Sequence, residues 1–153
     1  MAKTYQIPFY VRLGNILTLT LMRAGVKLVG PFLFFGGYPM YLLTVRGRKS
    51  GQPRTVVLAL IERNGKRFVS SPYGIVDWVR NLRAAGEATL TRGRRSETVN
   101  VIELPKGEAA LVLQEDVKAG NPFARNFGVT ANSSLEEFEH AVVSHPLFVL
   151  ESK

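Results

Sequence analysis

The hydrophobic and polar positions divide the chain into an apolar opening and a patterned remainder. Residues 9–36 are strongly apolar, but Arg12, Arg23 and Lys27 interrupt them and Gly25, Gly30 and Pro31 break them. A charge near a bilayer centre costs roughly 2.5–3.5 kcal/mol on insertion scales, so the stretch is not expected to be a clean span. At roughly 100° per residue, Arg12, Asn15, Arg23 and Lys27 share about a third of a helix circumference. The pattern predicts an amphipathic N-terminal helix with a cationic edge. It could pack on a core or lie on a membrane surface. No small-x-small cleavage pattern follows the run.

Short strands come next. Residues 40–45 and 55–61 are rich in Val and Leu and read as strands. Asn64-Gly65, where both residues tolerate positive φ, predicts a two-residue hairpin into a strand over 66–71. Residues 75–85 place Trp78, Val79 and Leu82 on one helical face, and Gly86 ends that helix. Strands over 88–91 and 97–103 turn around Gly93. Pro105 opens a helix running to about Lys118. A second helix covers 134–143, with Ser133 or Ser134 as cap and Glu136 and Glu137 in its first turn. Residues 146–151 form a closing strand. The predicted class is α+β: a small antiparallel barrel or half-barrel with flanking helices and an apolar N-terminal helix. No repeat or linker divides the chain, so one domain is expected over 1–153, with the barrel over 40–151.

Composition narrows the function. Hydrophobic residues make up 46% and charged residues 21%, which suits a packed core and excludes a disordered tail. There is no cysteine, which excludes disulfides, thiolate metal sites and a cysteine nucleophile. The only histidines are His140 and His145, without an evident carboxylate partner, so no metal is expected. The net charge is +8, and no Asp or Glu precedes Glu62. Eight basic residues stand before it, and twelve basic and twelve acidic residues cancel from there on. The anionic partner should therefore meet the first part of the chain. A phosphate-bearing cofactor, a membrane surface or a nucleic acid would satisfy that charge. No helix-turn-helix, zinc finger or aromatic platform is recognisable, so nucleic acid is not expected.

The densest signal is Arg46-Gly47-Arg48-Lys49-Ser50-Gly51-Gln52-Pro53-Arg54, between two predicted strands. Four cations in nine positions repel one another unless an anion lies between them. Gly47 and Gly51 let the backbone turn and present N–H groups, and Ser50 adds a hydroxyl. Backbone amides with Arg and Lys are what a phosphate needs. The spacing is not that of a Walker A loop, and no helix follows. A second basic turn, Arg92, Arg94 and Arg95, reads as a solvated hairpin tip.

The stretch from Leu42 to Thr55, with Gly47-Arg48-Lys49-Ser50-Gly51-Gln52-Pro53-Arg54 at its centre, resembles the signature of the deazaflavin (coenzyme F420)-dependent nitroreductase family. The resemblance implies a split β-barrel of the flavin-reductase-like type. It makes Lys49 and Arg54 the main ligands of the coenzyme's phosphate tail, with Arg48, Ser50 and Gly51 beside them. It also implies a small-residue turn at the deazaflavin ring, here Ser70-Ser71-Pro72-Tyr73-Gly74. A helix follows with Trp78 as a wall beside the ring and Asn81 nearby. The likeness runs over 41–104 and returns weakly at 147–150.

The chain also departs from that family. Relatives often carry a lysine where Pro72 or Tyr73 stands. Nitroreducing members place tyrosines over the substrate pocket, whereas this chain has none after Tyr73 and offers Phe123, Phe127 and Phe138. The expected activity is hydride transfer from F420H2 to a lipophilic acceptor such as a quinone or activated alkene. Coenzyme F420 is expected as cofactor rather than flavin mononucleotide (FMN). Tyr73 and Ser71 are the candidate catalytic proton donors. The alternative is a barrel that binds a fatty acid or other amphiphile without redox activity. A homodimer, a peripheral membrane contact through 9–36 and a cytoplasmic location at the inner membrane face complete the expectation.

Overall fold

The computed structural model describes residues 34, 35 and 37–153. Beyond Phe34 and Phe35, the expected N-terminal helix and its membrane contact lie outside the described residues. Those two form a short strand, β1 (Phe34–Phe35), pairing with Pro39 and Tyr38.

Seven further strands and four helices follow. They are β2 (Tyr38–Arg46), β3 (Pro53–Ala59), β4 (Ile61–Arg63), β5 (Lys66–Ser70), α1 (Asp77–Ala85), β6 (Glu87–Arg92), β7 (Arg95–Glu103), α2 (Lys106–Lys118), α3 (Ala124–Phe127), α4 (Leu135–Ser144) and β8 (Leu147–Ser152). The short α3 was not foreseen. Every strand pair is antiparallel, in the order β1-β2-β6-β7-β8-β5-β4, with β3 also on β2.

The expected strand over 55–61 is two strands. The chain bends at Leu60, whose N–H donates to the Pro39 carbonyl at 3.0 Å. Before the bend it pairs with β2, and after it with β5. One bent segment thus joins both ends of the sheet and curls it into an antiparallel split barrel with flanking helices.

Side-chain alternation fills the interior. Leu43 and Val45 of β2, Ala88 and Leu90 of β6, Val99 and Val101 of β7, and Phe148 and Leu150 of β8 form one cluster. Val79 and Leu82 of α1 complete it, closing one end of the barrel. Burying each such aliphatic side chain stabilises the fold by roughly 1.5–3 kcal/mol. A second cluster joins α2, α3 and α4 through Leu113, Phe127, Phe138 and Val142, with Leu147 of β8. Thus β8 turns Phe148 and Leu150 into the barrel, and Leu147 toward the helices. The cap of α4 is Ser134. Its hydroxyl accepts the Glu137 N–H at 3.2 Å, and the Glu137 carboxylate accepts the Ser134 N–H at 2.7 Å.

Candidate active site

Three segments meet at the end of the barrel that α1 closes: the turn after β2, the turn after β5, and α1 itself. The first is tightly bonded within itself. The Gly47 N–H donates to the Gln52 carbonyl and the Gly51 N–H to the Gly47 carbonyl, each at 2.8 Å. The Gln52 N–H donates to the Ser50 hydroxyl at 3.2 Å. A Cβ on Gly47 would stand 2.8 Å from Ser50 Oγ and 3.1 Å from the Gln52 carbonyl oxygen. A side chain there would have to displace the Ser50 hydroxyl and shift the Gln52 carbonyl.

Arg48 ties this turn to α1. Its backbone N–H and its guanidinium donate to Asn81 Oδ1 at 3.2 and 2.9 Å. The guanidinium also reaches Asp77 at 3.1 Å. Asn81 is only 5% exposed, so these bonds orient it. The structure thus brings Arg48 and Asn81 together as a strut under the turn. Asp77, an exposed carboxylate, is the third member.

Lys49, Ser50 and Arg54 are exposed, and neither Lys49 nor Arg54 has an ion-pair partner among the described residues. The N–H groups of Lys49 and Ser50 likewise meet no acceptor among the described residues. Ser50, accepting from Gln52, keeps its own proton to donate. Two exposed cations, two amides without an acceptor among the described residues and a hydroxyl are thus left at and beside this turn. That donor set fits a phosphate.

The second turn is pinned just as firmly. Ser71 is 1% exposed, and its hydroxyl donates to the Gly74 carbonyl. Its N–H donates to the Pro146 carbonyl at 3.2 Å, and its carbonyl accepts the Gly74 N–H at 3.1 Å. His145 Nδ1 lies 3.0 Å from the same carbonyl oxygen. Sequence reasoning gave His145 no role. Its position between a helix and Pro146 was the available signal. Ser70 closes β5, opposite Leu147.

Tyr73 is half-buried and meets the edge of Phe123 at a centroid distance of 6.4 Å. Of the three phenylalanines expected near the substrate, Phe123 meets Tyr73, and Phe127 meets His145 at a centroid distance of 5.3 Å. Phe127 and Phe138 are buried in the helical cluster, because their spacing on α3 and α4 turns them into that core. Trp78 packs on the barrel cluster, 6.5 Å from Phe148.

Outside the barrel, Thr44, Arg46, Gly51, Glu87, Thr89 and Thr98 line a groove of about 590 Å³. Arg46 faces this groove, so the four cations of the motif divide. Glu87 there pairs with Lys153, which holds its carboxyl below the ordinary range, and Arg46 adds a smaller effect.

The chain is a split barrel with two tightly bonded turns and α1 gathered at one end. The chain belongs to the F420H(2)-dependent quinone reductase family, whose model matches residues 16–130. It is therefore an oxidoreductase that uses coenzyme F420. Among solved structures it is similar to an F420-H2 dependent reductase, FDR-A, at 25% identity and a TM-score of 0.53, covering 74% of this chain and 94% of that one. It is also similar in fold to a protein described as a domain-swapped dimer, at 23% identity and a TM-score of 0.56, covering 93% and 97%. A protein of unknown function from Agrobacterium tumefaciens shares the fold at 15% identity and a TM-score of 0.53, covering 75% of this chain and 48% of the other. No curated protein matches the chain. No helix among the described residues is long and apolar enough to cross a membrane.

Proposed function

We propose that the chain grips the phosphate tail of reduced coenzyme F420 with Lys49, Ser50, Gly51 and Arg54. It would present a lipophilic acceptor, a quinone or activated alkene, beside Tyr73. The observation that carries this is the donor set left at the first turn, held by the Arg48–Asn81 strut. When bound, the coenzyme supplies the hydride; the protein's contribution is position and a shaped environment. Ser70, Ser71 and Gly74 form the rigid turn against which the ring end would rest, with Trp78 behind. Ser71 holds its proton inside that turn, on the Gly74 carbonyl, and the Tyr73 phenol is the proton donor proposed for the reduced acceptor. Arg48 acts by shaping the turn, since its guanidinium is already engaged.

A homodimer and a peripheral membrane contact belong to the same proposal. The first is motivated by the domain-swapped relative, the second by the cationic edge of residues 9–36.

The test is a titration of the protein into oxidised F420, following its intrinsic fluorescence, with FMN as control. Saturable binding of F420 alone, followed by quinone-dependent oxidation of F420H2, is the expected result. No F420 binding, together with retention of an added fatty acid in native mass spectrometry, would replace this reading with the amphiphile-binding one.

A further inference from the structure

Helix α2 buries a stripe of Ala109, Ala110, Leu113, Asp116 and Val117. Four of the five are apolar. The fifth is a carboxylate, 1% exposed, on which the hydride chemistry makes no demand. A buried carboxylate is costly unless it is hydrogen-bonded, and an aliphatic side chain would fill the stripe at no such cost. Asp116 is fully engaged. Tyr38 donates its phenol proton to Oδ1 at 2.7 Å, and Asn121 donates its side-chain amide to Oδ2 at 2.6 Å. The nearby Arg63 is paired with Glu115 instead, at 2.8 Å. Burial pushes the Asp116 carboxyl above its ordinary range.

Asn121 in turn has every polar group in use. Its N–H donates to the Asp116 carbonyl at 3.2 Å, and its carbonyl accepts the Ala124 N–H at 3.3 Å. Its side-chain oxygen accepts the Phe123 N–H at 2.7 Å. Pro122, with φ fixed by its ring, lies between. The Asn121-Pro122-Phe123 connector therefore has one conformation. The ring it delivers is the one that meets Tyr73.

We infer that Asp116 is a positioning residue for the acceptor side of the site. Through Asn121 it fixes Phe123 against Tyr73, and so sets the wall that a lipophilic acceptor contacts. This rests on the proposed placement of the acceptor beside Tyr73. The polarity of the chain matters. Asp116 must accept so that the Asn121 amide points one way and leaves its oxygen for Phe123.

That polarity supplies the test. In Asp116→Leu the Asn121 amide loses its acceptor, so the bond that orients it must be lost. In the double variant Asp116→Asn with Asn121→Asp, acid and amide exchange places. The asparagine at 116 then accepts from Tyr38 and donates to the carboxylate at 121, which still accepts from Phe123. Two readouts are needed. Amide hydrogen exchange at Phe123, without coenzyme, should lose protection in Asp116→Leu and keep it in the double variant. In turnover with a naphthoquinone, KM should rise about fivefold in the single variant and keep its value in the double one. The F420 dissociation constant and kcat should stay within about twofold throughout. Tyr38→Phe leaves the Asn121 arm intact and should leave KM alone.

An unchanged KM in a single variant that has lost Phe123 protection would overturn the positioning role. So would a double variant that keeps protection but not KM, or a single variant that keeps protection. If the unmutated chain fails to bind F420, the reading beneath the inference has failed, and the exchange data separately report whether Asp116 sets the connector.

Discussion

Two glycine-punctuated turns of this chain are rich in arginine, and they are built on different plans. The one after β2 follows Arg46. The one between β6 and β7 follows Arg92, at the opposite end of the β2–β6 pair, since Thr44 faces Thr89 and Leu42 faces Thr91. In the first, the Gly47 and Gly51 N–H groups donate to carbonyls within the turn, and a Cβ on Gly47 would crowd Ser50 and Gln52. In the second, Arg92 pairs with Arg95 across a two-residue hairpin, and Gly93 is needed only for its φ of 61°. A Cβ on Gly93 would meet nothing within 4 Å. The cations differ too. Arg92 lies 5.3 Å from the centre of the Tyr41 ring, whose phenol donates to Glu62 at 2.6 Å. Arg67 beside that hairpin is bonded to Glu97. Lys49 and Arg54 have no such partners among the described residues. Composition alone makes the two turns look alike. What separates the two turns is the use each makes of its backbone.

The largest effect should come from the cations themselves. Lys49→Ala with Arg54→Ala should weaken F420 binding by at least about tenfold, since charge-assisted bonds contribute about 1.5–3 kcal/mol each. Arg94→Ala with Arg95→Ala should leave it within about twofold, because exposed charges at the far end of the barrel are screened by solvent. Fluorescence titration of both folded doubles checks this. Equal losses would erase the distinction between the turns.

Next comes the backbone. Gly47→Ala should cost coenzyme affinity several-fold, as the turn opens away from Gln52 and displaces the donor set. Gly93→Ala should leave affinity intact and lower stability by about 1 kcal/mol, the strain of a side chain in the left-handed region. Thermal melts and titrations of the pair separate the two kinds of glycine. A Gly47→Ala variant with normal affinity would show that the tightness of the turn is incidental.

Much of the fold was legible because its signals are local. Asn64-Gly65 turns a hairpin, Gly86 ends α1 with a φ of 69°, and Ser134 caps α4 with Glu137. The basic loop was legible for the same reason. The strand break at Leu60 was not: residues 55–61 are uniformly strand-like, and the bend is set by a bond to Pro39, distant in sequence. The Arg48–Asn81 strut spans 33 residues and shows only in the fold. Phe138 lies in the helical core, a distinction from pocket that aromatic content does not make. Asp116 could have been flagged, as a charge on the apolar stripe of its helix.

Asn81→Ala tests the strut, with a smaller effect. It removes the shared acceptor of two Arg48 donors, worth about 1–2 kcal/mol in stability for a buried, charge-assisted arrangement. Coenzyme affinity should fall only a few-fold, because Lys49 and Arg54 remain. Asp77→Ala, whose carboxylate is 81% exposed, should do much less. If Asp77→Ala matched Asn81→Ala, the turn would be held by charge rather than by the buried amide.

The smallest effect concerns the acids at the hairpin end. The Arg67 guanidinium and then the Ser152 hydroxyl hold the Glu97 carboxyl below its ordinary value of 4.5. A depressed carboxyl contributes stability that is present above the unfolded pKa and lost as pH falls through the folded one. At 41% exposure the contribution is reduced by solvent, so only a modest shift in Tm is expected. Unmutated protein should exceed Glu97→Gln in Tm at neutral pH, and the gap should close on acidification through and below about pH 4.5. Neutral-pH affinity for F420 should not differ between them, because Glu97 belongs to the hairpin end and the turn after β2 to the other. A Glu97→Gln variant that binds the coenzyme more weakly would mean the two ends of the barrel are coupled. The basic hairpin would then have to be counted as part of the site.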